Sequence, residues 1–111
     1  MAEERKLKFE RGQSGADDLK PALSEISAEL RDPTSEAAAD AARIGIDPAE
    51  AADAQLTVSE EAQGIDPVTA AILIGIATNL ASDAVEKLWD AVILPRLKRR
   101  LGAKVLGRRV E

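Results

Sequence analysis

The spacing of apolar residues changes several times along the chain, and each change marks a predicted element. Lys6-Leu7-Lys8-Phe9-Glu10 alternates polar and apolar, the pattern of a half-buried strand. Gly12-Gln13-Ser14-Gly15 reads as a turn. The period then lengthens. Leu19, Leu23, Ile26 and Leu30 share one helical face from Asp17 to Leu30, while Lys20, Ser24, Ser27 and Glu29 lie off it. Asp17 or Asp18 can cap this helix, provided that Pro21 falls in the first turn, where a missing N–H costs no bond. Arg31-Asp32-Pro33 ends it.

Between Arg31 and Gln55 the only large apolar residues are Ile44 and Ile46, set among Ala, Asp and Glu. Alanine favours helix but offers little surface to bury, so this stretch is predicted as one or two exposed, mobile helical pieces. Gly45-Ile46-Asp47-Pro48 recurs as Gly64-Ile65-Asp66-Pro67. Each copy has the form of a helix start: Gly ends what precedes, Asp caps, and Pro occupies the first helical position. Two copies are punctuation and do not make a solenoid. Between them, Gln55 to Glu60 alternates as a second short strand, able to pair with the first in a direction the sequence leaves open.

From Val68 to Leu94 only Gly75 interrupts helix-forming sequence, which predicts a long apolar helix. Pro67 to Ser82 carries no charge, and the run becomes amphipathic beyond Thr78. Sixteen uncharged residues span about 24 Å as a helix, short of the roughly 30 Å of bilayer hydrocarbon. A buried central helix is therefore favoured over close self-association or a partner's groove, and both over membrane insertion. Ala71, Gly75, Ala77 and Ala81, with Leu88 and Trp89, form the candidate face for a partner or a second copy, because small side chains allow close approach.

Pro95 should kink that helix, which resumes as a basic amphipathic segment with Leu97, Leu101 and Val105 on one line. The charge is polarised. Gly12 to Asp66 holds thirteen acidic residues against Lys20, Arg31 and Arg43, whereas Arg96, Lys98, Arg99, Arg100, Lys104, Arg108 and Arg109 stand together without an acid. Such a tail suits an anionic membrane surface or an acidic partner, or it folds back on the acidic half. Without aromatic residues for stacking, and in an acidic chain of net charge -5, it is a poor nucleic-acid binder. The expected organisation is one small domain over residues 1–94, with 31–55 exposed, and a basic extension over 95–111. The fold class is mainly α with a minor β element, an α+β arrangement.

Composition narrows the chemistry. The chain has no His, Cys or Tyr, so triads, imidazole bases, thiolates and the usual zinc sites are excluded. No phosphate-binding glycine motif occurs, and the carboxylates lie in polar stretches. No catalytic residue, cofactor, metal or small-molecule substrate is expected. The charged start Met1-Ala2-Glu3-Glu4-Arg5-Lys6 lacks an apolar signal region, which predicts a cytoplasmic protein, peripheral to the inner membrane if the tail engages lipid.

The order of Lys6-Leu7-Lys8-Phe9, Leu19 to Leu30, Leu56-Thr57-Val58 and Ala70 to Arg100 resembles the small effector-associated components of bacterial conflict (defence) systems. That resemblance implies an adaptor or a protease-released effector without catalysis. The expected function is a non-enzymatic interaction protein that binds through its long C-terminal helix. The alternative is a membrane-active effector that inserts the same helix and its basic tail.

Overall fold

The structure, a computed structural model, describes residues 3–61 and 71–110. The alternating stretches form β1 (Glu3–Arg11) and β2 (Gln55–Glu61), but they do not pair with each other. Both pair antiparallel with β3 (Ala71–Thr78), which lies between them. With β4 (Leu106–Arg109) on the far side of β1, the sheet order is β2-β3-β1-β4. The fold is α+β, with a larger strand content than expected.

β3 corrects the prediction of one long helix from Val68 to Leu94; residues 68–70 and the second Gly-Ile-Asp-Pro copy lie outside the described residues. Ile72, Ile74 and Ile76 are β-branched and stiff at χ1, which suits a pleated surface better than a helix. Register sets Leu7 opposite Ile74 and Phe9 opposite Ile72, with Val58 on the other side of Ile74. These side chains make one buried face. The opposite face carries Lys6, Lys8, Thr57 and Ser59 around Leu73, Gly75 and Ala77. The apolar run looked helical because a central strand can afford small apolar residues on its second face too.

Gly75 faces a neighbouring strand, not a helix. A Cβ there would lie 2.5 Å from the Thr57 hydroxyl. Gly75→Val should destabilise the fold by about 1 kcal/mol through overpacking, and Thr57→Ala in the same chain should recover most of that loss. Denaturant midpoints of the two single variants and the double variant check this; equal effects of Gly75→Val in both backgrounds would reject the contact.

The helices cover the buried face. α1 (Ala16–Arg31) buries Leu19, Leu23, Ile26 and Leu30, the stripe expected. It starts earlier than Asp17, so Pro21 sits in its second turn instead of its first. Its first amide, Ala16 N–H, donates to the Glu60 carboxylate at 3.0 Å, so β2 supplies a cap that local sequence does not show.

α2 (Glu36–Arg43) and α3 (Pro48–Asp53) overturn the expectation that residues 31–55 are exposed. Ala37, Ala38, Ala41, Ala51, Ala52 and Ala54 are buried, and Ile46 joins the core. Alanine contributes little area, but it lets these helices lie close against α1. The first Asp-Pro start behaves as read: Asp47 accepts from Ala49 N–H and Pro48 opens α3.

Among the described residues, the part of the long predicted helix that forms begins at Ser82. α4 (Ser82–Leu88) runs into a π-helical turn (Trp89–Ile93) and on into α5 (Leu94–Leu101). Buried positions recur every four residues at Val85, Trp89, Ile93 and Leu97. In a straight α-helix that stripe would rotate by about 40° per step, and the wider π turn holds it on the sheet. The turn also accommodates Pro95: Leu94 N–H bonds back to Trp89 C=O, five residues away. The expected kink is therefore a π turn. Beyond it, Leu97 and Val105 are fully buried and β4 pairs with β1, so residues 95–110 belong to the domain instead of extending from it.

Candidate interaction surface

The residues predicted to form one helical interface are dispersed. Ala71, Gly75 and Ala77 lie on the helix-free face of β3, and Ala81 precedes α4. Leu88 and Trp89 are in the core, Trp89 tilted against Phe9 with ring centroids 5.4 Å apart. They cannot act as one contact face.

The basic segment folds back on the acidic half. Arg96 is buried; it donates to Asp40 at 2.8 Å and to Val92 C=O at 3.1 Å, with Glu29 3.6 Å away. Arg100 pairs with Glu25 and Glu29, Arg99 lies 3.9 Å from Glu36, and Arg108 pairs with Glu10. Lys98 and Lys104 are exposed, with no ion pair among the described residues. Most of the predicted basic surface thus already has its counter-charge within the chain. The hydrogen bond from Arg96 holds the Asp40 carboxyl below its ordinary pKa, against a smaller burial penalty.

Glu86 ties three elements together. It accepts from Arg109 of β4 at 2.7 Å and from Arg5 of β1 at 2.8 Å. The Arg109 hydrogen bond is the main reason its pKa falls to about 2. Folding lowers this pKa, so the resulting stability is complete above pH about 4.5 and fades as the pH drops towards 2. Glu86→Gln should cost about 2 kcal/mol at pH 7, after allowance for solvent screening, and much less near pH 2. Urea unfolding at the two pH values checks this; a pH-independent difference would reject the ion-pair origin.

The two edges of the sheet differ. β4 is four residues long, carries Arg108 and Arg109, and pairs with β1 through a register shift between Phe9 and Arg11. Short length, positive charge and a bulge are the usual protections of an edge strand. β2 has none of these from Gln55 to Ser59: its seven residues pair with β3 without a register break, and no Lys, Arg or Pro interrupts them. No described strand pairs with its outer edge.

Beside that edge runs a groove of about 540 Å³. Lys20, Ser24, Ser27 and Arg31 of α1 line one side, and Leu56 and Val58 of β2 the other, with Leu23 between. The four α1 residues form one helical ridge at spacings of four, three and four; Lys20, Ser24 and Ser27 lie off the apolar stripe, and Arg31 stands at the helix end. No pattern in the sequence marks them as a groove, because an edge strand becomes visible only when the strand order is known.

No family model, curated protein or solved structure matches the chain. Among the described residues, no helix is long and apolar enough to cross a membrane. No group of three or more His, Cys, Asp or Glu among them could hold a metal.

Proposed function

We propose that the protein is a non-enzymatic interaction module, an adaptor that captures an extended segment of a protein partner by strand addition at β2. The observation that carries this reading is the contrast between the guarded β4 edge and the β2 edge, which no described strand covers and which lies beside a groove. Backbone hydrogen bonds along the edge supply affinity, and the groove sorts the alternate side chains that face α1. The expected helical contact gives way to a sheet edge, while the adaptor role is kept. A partner within a bacterial defence assembly is the context that the resemblance in the sequence adds. The membrane-active alternative loses support, because Ala71–Thr78 of its inserting segment forms an interior strand of the sheet and its cations are mostly paired.

Selection of random peptides against the immobilised protein tests the reading. Enriched peptides should protect amides of Gln55–Glu61 from hydrogen exchange, and Ser24→Trp, which fills the groove from an exposed position, should abolish their binding. Protection confined to other elements, or no enrichment, would refute it.

A further inference from the structure

The chemistry of the groove specifies its occupant, and this inference rests on the strand-addition reading above. We infer that the β2 edge takes an extended segment with apolar residues at alternate positions and a carboxylate at each end. Lys20 and Arg31 stand at opposite ends of the α1 ridge, and both are exposed. Neither has a carboxylate within ion-pair distance among the described residues, although acids outnumber bases in the chain. The groove lining contains no acid. The arginines of the C-terminal half, in contrast, have been given partners.

Geometry sets the spacing. Eleven residues of helix separate Lys20 from Arg31 by about 16 Å. Side chains on one face of a strand recur every second residue, so carboxylates six residues apart lie about 20 Å apart on the α1 side. The long, flexible cationic side chains cover the difference. Between the acids, two alternate positions face the groove, where half-buried Leu56 offers apolar contact above the mostly covered Leu23 and Val58.

The same charges argue against a second copy as the occupant. Glu60 holds the start of α1 at the end of β2, so the two elements run in opposite directions. Antiparallel pairing of β2 with its copy would therefore align the two α1 ridges head to tail. Lys20 would face the copy's Arg31, and the reverse, with the nearby Glu60 already engaged by Ala16 N–H and Arg11. Like charges so placed repel.

Three capped heptapeptides with a Thr-Val-Thr-Val-Thr core test the inference, ending in aspartate, serine or lysine. Because the end groups are symmetric, strand direction does not matter. By fluorescence anisotropy the aspartate-ended peptide should bind about tenfold more tightly than the serine-ended one, and the lysine-ended one least. Lys20→Glu with Arg31→Glu, both at exposed positions, should reverse that order while leaving the circular dichroism spectrum unchanged. Equal affinities of the three peptides would overturn the charge rule and leave the strand-addition reading standing. Failure of every peptide would overturn both. Dimerisation by light scattering, with β2 amides protected in the dimer, would show that a second copy is the occupant and reject the acidic segment.

Discussion

Trp89→Ala should destabilise the protein by about 3–5 kcal/mol, a large share of the 5–15 kcal/mol typical of a small domain. Trp89 is 1% exposed, in the π turn, with Phe9 of β1 beside its ring. Truncation removes the ring's transfer free energy and opens a cavity where the sheet meets the helix. The close-packed core it belongs to, in which Leu7, Ile72 and Leu88 are fully buried, leaves little room for collapse. Urea unfolding followed by circular dichroism gives the answer, since the variant loses the chain's only tryptophan. A change within about 0.5 kcal/mol would place Trp89 on the surface, as the partner-helix expectation had it.

What could be read from the sequence was set by how local each signal was. The β1 alternation, the four-residue stripe of α1 and the Asp47-Pro48 start are decided by neighbours in the chain, and they appear as expected. The run Ala71–Thr78 is different. A short apolar stretch has no period that separates a central strand from a buried helix. The signals that could have decided it were three isoleucines at alternate positions, and a glycine that would weaken a helix there. Once this run becomes a strand, the C-terminal basic segment follows it back across the sheet and meets the acidic helices. The recurrent spacing of four at Val85, Trp89, Ile93 and Leu97 was also a legible sign of a π turn, with Pro95 just beyond it. The groove was not legible. Lys20, Ser24, Ser27 and Arg31 look like any solvated face until strand order sets an open edge beside them.

The buried alanines show the same dependence on context. Ala37, Ala41 and Ala51 offer little area, and counting large side chains therefore assigned residues 31–55 to solvent. Their small size is what brings α2 and α3 within reach of α1, and α2 within reach of the π turn just before Arg96. Close packing in turn places Asp40 beside the Arg96 guanidinium. A segment judged too poor to hold a core thus provides the counter-charge for the one buried cation among the described residues.

Arg96 should consequently behave as a structural residue and not as part of a basic surface. Its side chain is 6% exposed, while Asp40 and Glu29 remain 27% and 38% exposed. Arg96→Met leaves two carboxylates that water can still reach, so the cost should sit near the lower end for a broken buried pair, about 3 kcal/mol. Asp40→Asn leaves the cation with Glu29 at 3.6 Å as its one counter-charge beside the Val92 carbonyl and should cost about 2 kcal/mol. The two losses share one interaction, so the double variant should be more stable than additivity predicts by about 1–2 kcal/mol. Acid sensitivity provides an independent check. Folding lowers the Asp40 pKa from its ordinary 3.8, so the pair's contribution is present above that value and lost as Asp40 protonates below it. The penalty of Asp40→Asn should therefore shrink at low pH. Strict additivity of the two single changes at pH 7, with losses below about 0.5 kcal/mol each, would return Arg96 to the solvent-facing role its neighbours in the basic run first suggest.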